Sequence, residues 1–173
     1  MFFLIGYMAS GKSTLARMAA KTMHLPCADT DQLVEQQCAM TCAQIIERHG
    51  ETFFREQERK IIDKLIAAET NTIAATGGGL PCYSKNIELM NSHGTTVYLQ
   101  WSPEQLVERL YLSGISHRPL VAHFGNDRKA MLNFVTRHLK QREPFYLQAK
   151  HVLKCDSLDD YQILNLFLKT INY

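Results

Sequence analysis

Gly6-Tyr7-Met8-Ala9-Ser10-Gly11-Lys12-Ser13-Thr14 follows directly on the apolar run Met1-Phe2-Phe3-Leu4-Ile5 and leads into a helical pattern extending to Met23. The nonapeptide is a full match to G-x-x-x-x-G-K-[ST], and strand before with helix after is the context that this phosphate-cradling motif needs. Gly6 and Gly11 permit backbone angles that side chains resist, so successive N–H groups can curl around an anion at a helix start. Lys12 is then expected on the β- and γ-phosphates of a nucleoside triphosphate and the Ser13 hydroxyl on Mg²⁺. Ala9, Ser10 and Thr14 complete the expected nucleotide contacts. The competing reading is a Gly-containing strand-to-helix turn with a solvated lysine, which the full motif in this context disfavours.

Outward from the loop, strand-length apolar segments recur at Thr72 to Thr76, Thr95 to Trp101 and His151 to Cys155, with a weaker one around Pro26 to Ala28 leading into Asp29. Helical patterns lie between them. Glu51 to Ala68 gathers Phe54, Ile61, Ile62, Leu65 and Ile66 on one face. Ser102-Pro103 is an N-cap followed by proline at the first helical position and starts a helix toward Leu112. Another helix runs from about Arg128 to Arg142, with Pro144 marking its end or a kink, and the last covers Leu158 to Ile171. Strands alternating with helices predict an α/β fold, a three-layer sandwich whose five-stranded parallel sheet is flanked by helices, with ligands at the carboxyl ends of the strands.

The chain's 173 residues suit a single domain, since domains run to about 100 to 150 residues and rarely split below about 250. No repeat or Gly/Ser/Pro-rich linker divides it, so residues 1–173 are expected to form one domain. Nineteen Lys and Arg against seventeen Asp and Glu leave a net charge of +2, too small for the field of a nucleic-acid binder. Cys27, Cys38, Cys42, Cys82 and Cys155 lack the paired spacing of a disulfide framework and read as reduced, buried thiols. Cys38 and Cys42 are placed to share a helix face, but no second Cys/His pair stands at zinc-finger spacing. The start carries no basic leader, and no apolar run approaches the roughly 18 to 20 residues of a membrane span. A soluble, cytoplasmic protein with no membrane partner is expected.

The phosphate loop is shared by GTPase switches, motor ATPases and small-molecule kinases. A base-reading Asn-Lys-x-Asp is absent, and Thr72-Ile73-Ala74-Ala75-Thr76 ends in threonine where a motor usually has an acid. A kinase is the remaining class, and three further stretches describe its acceptor side. Asp29-Thr30-Asp31 puts two carboxylates two residues apart, which in an extended segment point the same way. Asp29 is expected to hold Mg²⁺ through water and Asp31 to accept a proton from the acceptor hydroxyl. The alternative is a solvated pair, with Asp31 capping a helix over Gln32 to Gln37. In Phe53-Phe54-Arg55-Glu56-Gln57-Glu58, Arg55 follows an aromatic pair and has Glu58 three residues on, so it reads either as an oriented anion clamp or as a surface ion pair. Gly77-Gly78-Gly79 follows the third strand and leaves backbone N–H donors open to a ligand.

Together these motifs resemble the shikimate kinases, in the nucleoside-monophosphate-kinase-like branch of phosphate-loop proteins. The stretches are GYMASGKST at Gly6 to Thr14, DTD at Asp29 to Asp31, FREQE at Phe54 to Glu58 and GGG at Gly77 to Gly79, joined by Arg118-Pro119-Leu120 and Arg142-Glu143-Pro144-Phe145-Tyr146. The resemblance implies the phosphate-loop NTPase fold and transfer of the ATP γ-phosphoryl group to the 3-hydroxyl of shikimate with one Mg²⁺. It implies Asp31 as the base, Arg55 and Arg142 as clamps on the shikimate carboxylate, Gly78 and Gly79 as backbone contacts with Gly77 beside them, and Phe54 as pocket wall. It also makes Leu112 to Asn126 a mobile lid that carries Arg118 to the phosphates of ATP.

Closure of that lid would expel water and suppress hydrolysis. His117 and His123, in the same stretch, read as solvated. Two departures stand out. Ala9 occupies a position where the family often has glycine, and Lys154-Cys155-Asp156-Ser157-Leu158 lacks the basic-and-proline pattern often found on the adenine side. Arg109 reads either as a stacking residue or as an ion pair with Glu104 or Glu108. A gluconate-type or nucleotide kinase would keep the loop and change the arginines and glycines, and a noncatalytic nucleotide-binding module would lose Lys12, Ser13 or Asp31. No feature argues for obligate assembly, so a monomer is expected.

Overall fold

Five strands, β1 (Phe2–Ile5), β2 (Cys27–Asp29), β3 (Ile73–Ala75), β4 (Thr95–Gln100) and β5 (His151–Lys154), form one parallel sheet in the order β2-β3-β1-β4-β5. The structure is a computed structural model that describes residues 1–115 and 118–173. Every strand coincides with an apolar run, shortened at its ends. The register aligns Leu4 with Ala75 and Ala75 with Asp29, so three chain segments leave the sheet level with one another. That alignment brings the phosphate loop, the Asp29–Asp31 stretch and the triple glycine to one edge, at the carboxyl ends expected to bind ligands.

The helices are α1 (Lys12–Met23), α2 (Thr30–Cys38), α3 (Cys42–Ala67), α4 (Asn86–His93), α5 (Pro103–Leu112), α6 (Pro119–Ala122), α7 (Arg128–Tyr146) and α8 (Asp160–Thr170), with a 3₁₀ turn over Leu80–Cys82. They cover both faces of the sheet. Side chains alternate along a strand, and Phe2 meets Phe167 of α8 edge-on while Tyr98, of the opposite parity in this register, meets Tyr146 of α7. The main core joins β1, β3 and β4 to Leu15, Ala16 and Ala19 of α1 and to Val135 and Leu139 of α7. A smaller cluster of Val34, Ile45, Phe54 and Ile61 ties α2 to α3 beside the sheet edge.

Local chemistry sets the boundaries. Ser102 caps α5 with Pro103 in its first turn, and Thr41 with Gln44 and Asp159 with Gln162 form capping boxes on α3 and α8. The α8 box explains a start two residues later than the apolar pattern suggests. Gly50, at φ 84°, breaks α3 just before Glu51, where the periodic run begins.

Several expectations are corrected. Asp29 and Asp31 do not share an extended segment, because β2 ends at Asp29 and Asp31 lies in the first turn of α2. The cap of that helix is Asp29, whose carboxylate accepts from the N–H groups of Asp31 and Gln32, and not Asp31. Helix α7 continues through Pro144 to Tyr146, since the buried Tyr146 is anchored by its hydroxyl to the Gly78 carbonyl at 2.6 Å. Cys38 and Cys42 end one helix and begin the next instead of sharing a face, and Cys27 is exposed. The stretch 112–126 contains the one-turn α6, and His117 lies outside the described residues. Among the described residues no helix is long and apolar enough to cross a membrane.

Ala9 adopts φ 61°, a left-handed conformation that costs a residue with a Cβ about 1 kcal/mol or more. Ala9→Gly is therefore expected to stabilise the fold by about 1 kcal/mol in urea unfolding; an unchanged or lowered midpoint would contradict it.

Candidate active site

The phosphate loop is shaped by Gly6 at φ 145° and Gly11 at φ 91° on either side of Ala9. Lys12 is buried, and its Nζ donates to the carbonyls of Gly6 (3.0 Å) and Tyr7 (2.7 Å) and to Ser10 Oγ (3.2 Å). Burial lowers its pKa to about 8 against the pull of Asp31 and Asp29, and its ammonium is pre-aimed across the loop. Ser13 Oγ donates to Asp29 Oδ2 at 2.6 Å. A hydroxyl and a carboxylate side by side are hard oxygen donors suited to Mg²⁺, directly or through water.

Asp31 lies on the inner side of this pair. Its Oδ1 and the Oε1 of Glu58 are buried without a hydrogen-bond partner among the described residues, and both point to where a side chain on Gly77 would begin. Burial, reinforced by Asp29, raises the Asp31 pKa. Burial also pushes Glu58 up to about 7 against the Arg55 cation, with Asp31 adding to the rise. Arg55 is held by Glu58 at 2.6 Å and by Glu51 at 2.9 Å, with its guanidinium 5.2 Å from the centre of the Phe54 ring. Phe54 itself belongs to the smaller core, with the Arg55 guanidinium over its ring.

The triple glycine accommodates these side chains. A Cβ on Gly77 would collide with Asp31 and Glu58, and one on Gly79 would sit on the Arg55 guanidinium. The Gly77 N–H is already bonded to Thr30 Oγ1 at 2.9 Å, so it is not an open donor as the sequence suggested. A Cβ on Gly78 would stand 3.4 Å from both the Gly6 carbonyl and the Met8 nitrogen and 3.6 Å from Arg142 Nη1. Gly78 therefore abuts the phosphate loop on one side and Arg142 on the other. Arg142 makes no ion pair among the described residues, in contrast to the doubly paired Arg55. Arg118 sits at the start of α6 with Nη2 3.4 Å from Ser113 Oγ, and its charge contributes to lowering the Lys12 pKa.

Five contributors were missed or misplaced in the sequence. Thr30, between the two aspartates, fixes the glycine strand-end, and Glu51 is the second carboxylate on Arg55. Tyr146 holds the Gly78 carbonyl. Trp101 Nε1 donates to the Ser10 carbonyl at 3.0 Å, and Arg109 Nε donates to the Ala9 carbonyl at 2.8 Å while stacking 4.4 Å from the Trp101 ring. Arg109 thus braces the loop and pairs with neither Glu104 nor Glu108. A tryptophan directly after a strand facing a phosphate loop was the available signal. An open crevice of about 470 Å³ beyond Trp101, lined by Pro103, Leu139, Lys140, Glu143, Lys154 and Asp156, takes Glu143 from the Arg142–Tyr146 stretch and reaches the segment after β5, but includes no residue of the phosphate loop or the triple glycine.

A sequence model of the family described as shikimate kinase matches residues 8–172. The chain belongs to the shikimate kinase family. A shikimate kinase from Phocaeicola vulgatus is 39% identical over 158 residues, covering 91% of this chain and 88% of that one. The crystal structure of shikimate kinase from Bacteroides thetaiotaomicron superposes with a TM-score of 0.91 at 32% identity, covering 99% of this chain and 98% of that one. The Acinetobacter baumannii shikimate kinase, solved in complex with shikimate, gives a TM-score of 0.85 at 27% identity over 99% and 92% of the two chains. A deoxyadenosine kinase from M. mycoides, at 18% identity and a TM-score of 0.59, shares the fold. The family match spans every motif of the acceptor edge as well as most of the phosphate loop.

The folded chain keeps the Glu58 proton up to about pH 7, whereas an unperturbed glutamate releases it near 4.5. Between those values the folded state binds the extra proton, so this group's contribution is fullest below 4.5 and is lost as pH rises through 7. Glu58→Gln is expected to flatten the decline of unfolding free energy over that window, followed by urea titrations at several pH values; an unaltered slope would contradict the assignment.

Proposed function

We propose that the carboxyl edge of the sheet is the active site at which this chain transfers the γ-phosphoryl group of ATP to the 3-hydroxyl of shikimate. The observation that carries the residue assignment is the position of Gly78, between the phosphate loop and Arg142, with Asp31, Glu58 and Arg55 packed around its two neighbours. A small carboxylate bearing hydroxyls suits that arrangement, with arginines available to the carboxylate and the buried Asp31 to a hydroxyl. A gluconate-type or nucleotide acceptor would call for different contacts in place of the paired arginines and the triple glycine.

In this reading the loop from Gly6 to Thr14, with Ala9, Ser10 and Gly11 among its donors, cradles the phosphates, and Lys12 turns from its carbonyl partners to the β- and γ-phosphates. Ser13 and Asp29 would hold one Mg²⁺, which when bound would supply positive charge to the phosphates of ATP. Arg55 and Arg142 take the shikimate carboxylate, a charge-assisted contact that fixes the ring. Gly78 and Gly79 line the ring backbone-first, Gly77 leaves room for Asp31 and Glu58, and Phe54 supports Arg55 from below. Asp31 accepts the proton of the 3-hydroxyl as its oxygen bonds to the γ-phosphorus and the bond from that phosphorus to the β,γ-bridging oxygen breaks. The raised proton affinity of Asp31 suits that task. Arg118, carried on the lid at about 112–126, supplies positive charge to the transferring group. Residues 1–173 act as one domain and as a monomer, and the five free thiols suit the cytoplasm.

Purified protein with Mg-ATP is expected to phosphorylate shikimate and not a panel of gluconate and nucleoside monophosphates; turnover of the panel without shikimate would overturn the acceptor assignment. Asp31→Asn should bind Mg-ATP normally and lower kcat by about 10²- to 10⁴-fold. An unaltered kcat would remove Asp31 from the proton transfer.

A further inference from the structure

Helix α7 presents Phe134, His138, Arg142 and Tyr146 at successive four-residue steps, which places them along one side of the helix. Arg142 and Tyr146 meet the acceptor edge at Gly78. One turn earlier, His138 Nδ1 is 2.8 Å from the hydroxyl of Tyr7, the second residue of the phosphate loop. The two rings meet edge-on with centroids 5.5 Å apart, and Phe134 closes the other side of His138 at 5.1 Å. Tyr7 is 1% exposed, and its carbonyl is the shortest contact of Lys12 Nζ. Neither the phosphate-loop pattern nor the acceptor motifs give Tyr7 or His138 a task.

We propose that His138 is a positioning residue for nucleotide binding, which pins Tyr7 and through it the phosphate loop to the same helix that carries Arg142 to the acceptor. The loop runs through two glycines and a left-handed alanine, so its backbone has many conformers to lose when a nucleotide binds. The Tyr7 side chain is the loop's buried aromatic anchor, and the bond to His138 selects a single orientation for it before nucleotide arrives. A loop ordered in advance loses less entropy on binding. The link joins neutral groups: burial and the nearby Arg142 cation hold His138 down at about 4, and burial keeps the Tyr7 hydroxyl protonated. The brace therefore persists across the ordinary range of assay pH.

The inference rests on the nucleotide half of the proposed function, not on the identity of the acceptor, so it is tested with Mg-ADP alone by titration calorimetry. Binding of Mg-ADP to the unmodified protein checks the nucleotide reading separately. His138→Leu keeps bulk and removes the ring nitrogen, and Tyr7→Phe removes only the hydroxyl. Each is expected to weaken Mg-ADP binding by about threefold to tenfold, the range of one neutral hydrogen bond. The double variant should be no weaker than either single one, because both remove the same bond. His138→Asn, whose amide reaches the Nδ1 position, should recover most of the affinity. A purely structural role would lower the melting temperature and leave affinity alone. Unchanged affinity in either single variant, losses that add in the double variant, or no recovery in His138→Asn would overturn the proposal.

Discussion

Asp31 and Glu58 share one buried space at the sheet edge, each with a carboxylate oxygen that has no hydrogen-bond partner among the described residues. Two buried acids so close together are expensive unless cations offset them. Much of the surrounding architecture serves that requirement. Arg55 is clamped between Glu58 and Glu51, the charges of Asp31 and Asp29 favour the ammonium form of the buried Lys12, and Gly77 and Gly79 omit the side chains that would fill the space. The unsatisfied oxygens are what a hydroxyl-bearing acceptor would complete.

The sheet supplies the frame for this electrostatic arrangement. Because Leu4, Ala75 and Asp29 stand side by side in register, the loop, the acids and the glycines are brought together without long connections. The smaller apolar cluster under α2 and α3 orients Arg55 and Glu58 from one side. Helix α7 contacts both the phosphate loop, through His138, and the glycine turn, through Arg142 and Tyr146. Trp101 and Arg109 hold the loop backbone from a third direction. The phosphate loop is thus braced by side chains from β4's end, α5 and α7 before any ligand is present.

Much of this was legible in the sequence because the signals were local. The five apolar runs became the five strands, and Ser102-Pro103 began its helix at the expected residue. The phosphate loop was readable because its chemistry is contiguous. What escaped depended on tertiary anchoring. Pro144 ordinarily signals an end, yet Tyr146 beyond it is tied to Gly78, and the helix continues. The alternation argument for Asp29 and Asp31 failed because Asp29 is used as a helix cap, which turns the chain one residue later. Gly77 to Gly79 were recognised as a site of close approach, but the approaching groups are the protein's own Asp31, Glu58 and Arg55. Thr30, Trp101 and His138 act across 47, 91 and 131 residues of sequence, and no local pattern announces such pairs.

The central claim is that an acceptor carboxylate and an acceptor hydroxyl are held at opposite ends of one small site, by Arg55 and Arg142 and by Asp31. A crystal structure of this protein with Mg-ADP and shikimate tests it most directly. The account predicts the carboxylate between the two guanidinium groups and the 3-hydroxyl against Asp31, facing the phosphate loop. A ring bound in the reverse sense, with its carboxylate away from both arginines, would contradict it.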